Sequence, residues 1–205
     1  MGEGSANMEM PAKGTWKLDA NHTVIGAVAR HLMVTKVRGK FNVYGGVLHV
    51  GDSVEDSWAE LEIDASSIDT GVPDRDTHLR SADFLDVEHH PRITYRSTLV
   101  EQTGPTTLRV TGDLMIRGVR RPVVLDVIYE GTFPDPWGGT RAGFSATGEL
   151  EREDWEMTWN VALETGGVLV SKTIQLEIEA QVVQQEEAIK RAAEQESKPA
   201  GESLP

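Results

Sequence analysis

The chain of 205 residues carries 20 Lys and Arg against 33 Asp and Glu, a formal net charge of -13. So acidic a protein repels phosphates, which argues against general binding of nucleic acid or of an anionic membrane. The absence of cysteine excludes a disulfide framework, a thiolate metal site and cysteine catalysis. The 39% hydrophobic content, with 20 Gly and 9 Pro, is typical of a globular protein with many turns.

The two ends of the chain differ from its middle. Residues 1–14 have no hydrophobic period, no basic start and no apolar run, so we expect a disordered leader, no secretory signal and a cytoplasmic protein. Residues 185–205 contain strong helix formers before Pro199 but almost no apolar stripe, which predicts a polar helical or disordered tail. The folded domain is therefore predicted over residues 15–184. No stretch is long and apolar enough for a transmembrane helix.

Between those ends, apolar and polar residues alternate with a period of two, which predicts strands that are buried on one face only. The clearest example runs from Thr173 to Val182, where every second residue is apolar. The predicted strands cover residues 16–30, 38–50, 58–64, 92–100, 107–117, 122–131, 141–151 and 173–182. Eight strands with short gaps predict an all-β antiparallel barrel or sandwich.

Two segments depart from this alternation. The sequence predicts one helical turn at residues 30–36 and a short helix at 73–84, with Asp74 or Asp76 as its N-cap. The apolar pair at 84–85 would then pack inward. A helix placed between barrel strands typically lies across one end of the barrel.

Five small residues share the apolar faces of the predicted strands with bulky ones. They are Gly112, Ala142, Ala146, Gly148 and Ala180. Two interpretations remain open: the small residues leave space for an apolar ligand, or they accommodate strand bends inside a solid core.

Several motifs occur in order along most of the chain. They are WKLDANHT at 16–23, ARHLMVTKVRGKF at 29–41, IDASSIDTGVPDRDTHLRSADFLDVE at 63–88, HPRITYRST at 90–98, TGDLMIRGVRRPV at 111–123, DPWG at 135–138, REDWEMTWN at 152–160 and GGVLVS at 166–171. On these motifs the chain resembles the YceI-like family of lipocalin-like proteins, described as polyisoprenoid binders. It departs from the family pattern at Ala27, Ala29, Met115 and at Trp155–Glu156, where Phe-Gly is usual.

The resemblance implies an extended eight-stranded antiparallel lipocalin-like barrel around a long apolar channel, often in a dimer. It implies binding of a long-chain isoprenoid, a quinone or a similar amphiphilic lipid, and no known catalysis. We therefore expect a carrier, storage or sequestration protein with no cofactor other than a bound isoprenoid or quinone-like lipid. We also expect a possible homodimer in which residues 185–205 are dispensable for binding.

Eleven apolar residues are assigned to the channel wall, and ordinary core packing is the alternative for each. They are Val28, Met33, Phe41, Leu79, Phe84, Leu114, Ile116, Phe144, Trp155, Trp159 and Leu163.

A charged head group would need polar partners, and Arg30, His31 and Arg38 are the candidates. Guanidinium groups match phosphate and carboxylate geometry, and an imidazole can bond a quinone or phosphate oxygen. The alternative is ordinary surface pairing of both arginines with acidic neighbours, and a histidine satisfied by the backbone. A second basic cluster at residues 117–121 has the same alternative.

Other chemistries have little support. His78, His89 and His90 lack the spacing of metal ligands, and Ser145 lies in a strand rather than a nucleophile elbow. No glycine-rich phosphate loop occurs, so no catalytic residue or metal is assigned. Two alternatives stay open: an enzyme for a lipophilic substrate that uses His31 with a carboxylate, and a ligand-free structural or stress-related dimer.

Overall fold

Eight long antiparallel strands close into a barrel in the computed structural model, which describes residues 10–135, 139–162 and 167–184. Three of the eight long strands are each divided into two segments, and the other five are continuous, which gives eleven segments in all. In chain order these are β1 (Gly14–Leu18), β2 (Val24–His31), β3 (Thr35–Phe41), β4 (Tyr44–Val50), β5 (Trp58–Asp64), β6 (Ile68–Asp69), β7 (Arg92–Gln102), β8 (Thr107–Ile116), β9 (Val119–Asp135), β10 (Gly139–Glu151) and β11 (Thr173–Gln184).

The first and last strands close the barrel. β1 and β2 lie end to end along β11, with Leu18 opposite Val182 and Val28 opposite Gln175. On their other side, β1 pairs with β4 and β2 pairs with β3. β4 then pairs with β5, and β3 pairs with β6. The remaining pairs are β5–β7, β7–β8, β8–β9, β9–β10 and β10–β11. The predicted eight-stranded antiparallel barrel is thereby confirmed.

The predicted helical turn at residues 30–36 is wrong, because this segment is the turn of the β2–β3 hairpin. His31 pairs with Thr35, and the backbone at Leu32 and Met33 is left-handed, with φ of 51° and 60°. The sequence offers neither Gly nor Asn at these positions, so the usual turn signal is missing. Long-range pairing of the flanking strands decides the conformation instead.

The predicted short helix is confirmed as α1 (Pro73–Arg80), but its predicted capping is wrong. The N-cap is Val72, and no side chain bonds the first turn there. The buried Asp76 carboxylate instead accepts hydrogen bonds from the Thr70 amide at 2.9 Å and the Thr70 hydroxyl at 2.5 Å. Asp76 therefore ties α1 to the segment before it. Phe84 is buried beyond the helix, as the sequence predicts.

One end of the barrel is filled from the connection between β10 and β11. A short 3₁₀ turn at Arg152–Trp155 brings the indole of Trp155 inside, where Nε1 donates to the Leu114 carbonyl oxygen at 3.2 Å. The buried Arg152 guanidinium donates to the carbonyl oxygens of Ser171 and Met157 and so fastens this connection. Glu156 follows with a left-handed φ of 62°, which explains why glycine is usual here in the family that the sequence resembles.

The interruption between β1 and β2 is held by an arginine clamp. Arg141 Nε donates to Asp135 Oδ2 at 2.6 Å, and Nη1 contacts both the Asp19 carboxylate and Gln181 Oε1. Burial raises the pKa of Asp19, but hydrogen bonds from Arg141 and His22 outweigh it and hold that pKa below its ordinary value of 3.8. The charged pair is only slightly exposed, so its attraction is weakly screened.

The clamp predicts a specific pH dependence of stability. Because the pKa of Asp19 is lower in the folded chain, its contribution is complete above the unfolded pKa and is lost as pH falls through the folded pKa. Asp19→Asn should lower the free energy of unfolding at neutral pH, and the difference from the wild type should shrink below pH ~4. Urea unfolding of both proteins across acidic pH measures this, and a difference independent of pH would contradict it.

A tight contact inside the barrel predicts a second stability effect. A Cβ at Gly112 would overlap the Tyr95 ring and lie 2.7 Å from the Arg96 carbonyl oxygen, whereas a Cβ at Gly45 would meet nothing within 4 Å. Gly112→Ala should therefore lower the free energy of unfolding by about 1–3 kcal/mol. Gly45→Ala, the matched control, should leave it unchanged or raise it by up to ~1 kcal/mol. Equal effects in chemical denaturation would rule out the Tyr95 contact as the cause.

Candidate functional site

The barrel interior is hollow at the end opposite to Trp155. A cavity of about 190 Å³ lies there between the inner faces of β1, β2, β4, β5 and β7–β11, and its wall is almost wholly apolar. Representative wall residues are Leu48, Val50, Val100, Leu108, Val110 and Val182. A partly open apolar space of this kind suits a hydrocarbon and offers little to a polar substrate.

The segment before β1 crosses the mouth of this cavity. Met10 packs against two separate apolar clusters, one around Trp16 and one around Val100. Pro11 is buried, and the Trp16 indole Nε1 donates to the Ala12 carbonyl oxygen at 2.9 Å, which anchors the crossing. Part of the segment predicted as a disordered leader therefore closes the cavity. Residues 1–9 lie outside the described part.

Tyr95 forms the floor of the cavity. Its ring occupies the space above Gly112, and its hydroxyl donates to the Val110 carbonyl oxygen at 3.3 Å. Burial raises the pKa of Tyr95 to about 12, so the hydroxyl stays protonated at neutral pH. Beneath the ring, Leu114 and Trp155 belong to the main apolar cluster. The solid and hollow halves of the barrel meet at this tyrosine.

The five small residues on the inner strand faces have different roles. Some leave space for a ligand, and others allow close packing in a solid core. Ala146 and Ala180 line the cavity, as the ligand interpretation requires. The Tyr95 ring occupies the space that a side chain at Gly112 would need, and the Leu125 side chain does the same at Gly148. Ala142 is fully buried in the cluster around Trp16.

The structure brings few of the predicted channel residues to the cavity. Phe144 lines it. Leu114, Ile116 and Trp155 lie in the main apolar cluster of the filled half, and Phe41 and Leu79 pack against that cluster. These five residues occupy core positions in this conformation.

The other predicted channel residues lie away from the cavity as well. Val28 is buried but belongs to none of the three apolar clusters, and Met33 is 53% exposed at the tip of the β2–β3 hairpin. Phe84 and Trp159 pack together with the His78 ring, with centroids 4.5–5.4 Å apart. Leu163 lies outside the described residues.

The predicted head-group residues do not meet the cavity either. Arg30, His31 and Arg38 are exposed on the β2–β3 hairpin, toward the filled end of the barrel. Arg38 Nε lies 3.6 Å from the Glu177 carboxylate, which is the surface pairing considered as the alternative. Among the described residues no carboxylate lies within ion-pair distance of His31, so the acid–base pair needed by an enzyme is not assembled there.

Sequence reasoning missed Met10, Trp58, Tyr95, Leu108 and Val110 as cavity residues. The period of two does place Leu108 and Val110 on an inward face. It does not give their position along the barrel axis, which depends on strand stagger and on bulges such as those at Thr98 in β7 and Glu130 in β9. Met10 carried no strand signal at all.

Two further observations bear on other chemistries. Within residues 10–135, 139–162 and 167–184, no cluster of three or more His, Asp or Glu side chains is arranged to hold a metal ion. The same ranges contain no helix with the length and hydrophobicity needed to cross a membrane. Ser145 donates a hydrogen bond from Oγ to Glu130 Oε1 at 2.7 Å and has no histidine partner among the described residues.

Sequence comparison identifies the relatives of this chain. The family model for the YceI-like domain matches residues 16–182. A UPF0312 protein of Vibrio parahaemolyticus is 36% identical over 137 residues, covering 66% of this chain and 72% of that protein. A UPF0312 protein of Pseudomonas putida is 33% identical over 183 residues, covering 88% and 91%.

Solved structures with the same fold agree with this assignment. BcnA of Burkholderia cenocepacia has a TM-score of 0.69 at 18% identity, covering 80% of this chain and 98% of BcnA. The Campylobacter jejuni YceI protein has a TM-score of 0.66 at 28% identity, covering 76% and 89%. A polyisoprenoid binding domain from Saccharophagus degradans has a TM-score of 0.62 at 15% identity, covering 82% and 98%. The chain belongs to the YceI-like family.

Proposed function

We propose that the protein binds the hydrocarbon chain of an amphiphilic lipid, such as an isoprenoid or a quinone, inside the hollow half of the barrel. The observation that carries this proposal is the partly open cavity of about 190 Å³ with an almost wholly apolar wall. Membership of the YceI-like family and the likeness in fold to a polyisoprenoid binding domain support it. The family is one of binding proteins rather than known enzymes, so we propose binding without turnover.

Burial of hydrocarbon would supply the affinity. Each CH₂ moved from water into the cavity is worth ~0.8 kcal/mol, so one five-carbon isoprene unit gains up to ~4 kcal/mol before the costs of association. No charged partner along the chain is needed for this, which agrees with the lack of polar groups on most of the wall.

Cavity size sets how the ligand is placed. Small-molecule sites usually have volumes of roughly 300–1,000 Å³, and this cavity is smaller. A long chain therefore has to displace Met10 and Pro11 or project past them. We infer that the chain end points toward Tyr95 and that the head group stays at the mouth.

The mouth has the polar groups that such a head group needs. The β4–β5 loop presents Ser53 and Asp56, which bond each other at 2.9 Å, and Ser57 lies beside the cavity. In this proposal these residues replace Arg30, His31 and Arg38, because the filled half of the barrel separates that hairpin from the cavity. Transport or storage, cytoplasmic location and a homodimer stay predictions.

Extraction of the purified protein with organic solvent, followed by mass spectrometry, tests the proposal, and native mass spectrometry gives the stoichiometry. We expect one isoprenoid, quinone or related amphiphile per chain. The extracted protein should then take up farnesol, geranylgeraniol or a quinone with a short prenyl tail, and each should raise its melting temperature. Absence of any bound lipid together with no uptake of these probes would overturn the proposal.

Filling the cavity with a side chain should weaken binding while the barrel stays folded. Ala146 lines the cavity, and its neighbour Thr147 is exposed on the same strand. Ala146→Phe should weaken the binding of farnesol at least about tenfold, which corresponds to ~1.4 kcal/mol. Thr147→Phe should bind as the wild type does. Titration followed by tryptophan fluorescence measures both, and equal affinities would show that the ligand binds elsewhere.

A further inference from the structure

The turn of the β2–β3 hairpin exposes three consecutive apolar side chains. Leu32 is 42% exposed, Met33 53% and Val34 75%; together they are called the hairpin tip. Single exposed apolar residues are common on protein surfaces. Three in a row at a turn are unusual, because turns are normally built from polar residues or glycine.

The hairpin tip is held in place by the neighbouring strand connection. The Leu32 amide donates to the Leu169 carbonyl oxygen at 2.8 Å, and His31 forms a β-bridge with Val170. Leu32 and Met33 both adopt left-handed backbone conformations that residues with a Cβ rarely occupy. Strained backbone that the surrounding contacts maintain is a feature of functional surfaces.

Positive charge follows the hairpin up to its tip. Arg30, Lys36, Arg38 and Lys40 are all exposed and are called the basic strip. Arg30 and Lys36 are directly paired across the two strands, an arrangement that is unfavourable for the fold by itself. Of these four, only Arg38 takes part in an ion pair among the described residues. In a chain with a net charge of -13, such a strip is a local exception.

We propose that the hairpin tip inserts into the surface of an anionic lipid bilayer while the basic strip contacts its phosphates. A strand rises about 3.3 Å per residue, so Lys36 stands ~7 Å behind Val34. Apolar side chains at a membrane surface are buried ~5–10 Å deep, at the boundary of head groups and acyl chains. The spacing therefore lets Arg30 and Lys36 meet the phosphates when the hairpin tip is immersed.

A bilayer suits this surface better than a second copy of the chain. The hairpin tip is a three-residue turn whose apolar side chains are all exposed, and a liquid boundary can follow so small a surface wherever residues 169–171 do not cover it. The high negative charge of the remaining surface opposes close adsorption, so contact would be limited to the hairpin and reversible. The inference does not depend on whether the cavity holds a lipid.

Co-sedimentation with vesicles tests the hairpin tip. The wild type should bind vesicles of phosphatidylcholine with phosphatidylglycerol, and bind pure phosphatidylcholine much less. Met33→Ser with Val34→Ser should lose most of this binding. The matched control is Val124→Ser with Ile128→Ser, which removes two exposed apolar side chains from the outer face of β9 and should bind normally.

A second pair of variants tests the basic strip at equal net charge. Arg30→Gln with Lys36→Gln should weaken the vesicle affinity about fivefold for each positive charge removed. Lys13→Gln with Lys17→Gln, near the mouth of the cavity, should leave it unchanged.

Two outcomes would overturn the inference. One is the absence of binding to the anionic vesicles, or binding that the Met33 and Val34 substitutions do not change. The other is a change in oligomeric state caused by those substitutions without any vesicle binding, which would assign the hairpin tip to a contact between copies. Circular dichroism of each variant confirms that the barrel remains folded.

Discussion

The packing of the Tyr95 ring over Gly112 divides the barrel interior, and the candidate site depends on this division. Toward Trp155, side chains from β8, β10 and the β10–β11 connection pack into the main apolar cluster. Toward Met10, the inward side chains of the same strands, among them Leu108, Val110 and Phe144, surround a cavity. The ring fits only because position 112 has no side chain. One glycine thus sets where the solid core ends and where a ligand chain would have to stop.

The two ends of the molecule consequently differ in chemistry. The mouth is apolar inside, is covered by Met10 and Pro11, and has hydroxyl and carboxylate groups on its rim. The opposite end is closed by Trp155 and extends into the hairpin with its hairpin tip and basic strip. If both proposals hold, the protein contacts a bilayer through one end and retains a lipid chain through the other. Docking and loading would then be separate events.

The arginines that hold the fold together differ in their partners from the arginine proposed to contact a bilayer. Arg141 and Arg152 are enclosed by carboxylate and carbonyl oxygens, which explains their place in the fold. Arg30 lies opposite Lys36 and has no carboxylate partner among the described residues. The amino-acid composition cannot separate these two kinds of arginine, because net charge does not depend on where each charge lies. Only their positions distinguish a clamp from a binding surface.

Much of the strand pattern could be predicted because burial on one face imposes a period of two on each strand. The eight strands were predicted on that basis, and α1 was predicted where the alternation stops and an aspartate could cap a helix. The β2–β3 turn was not, because its left-handed residues are Leu32 and Met33, and pairing of distant strands outweighs their local preference. The N-cap of α1 was missed for a similar reason, since Asp76 bonds Thr70 rather than the helix it belongs to.

The candidate site shows the same limit. By itself the sequence determined an antiparallel barrel with an apolar interior, and its motifs indicated the family. The tertiary structure decided which inward residues face empty space: Ala146 and Ala180 do, whereas Gly112 and Gly148 are covered by larger neighbours. The physical reason is that alternation records the face of a strand on which a residue lies. The stagger of the strands, and the side chain that arrives from across the barrel, decide whether that position is filled.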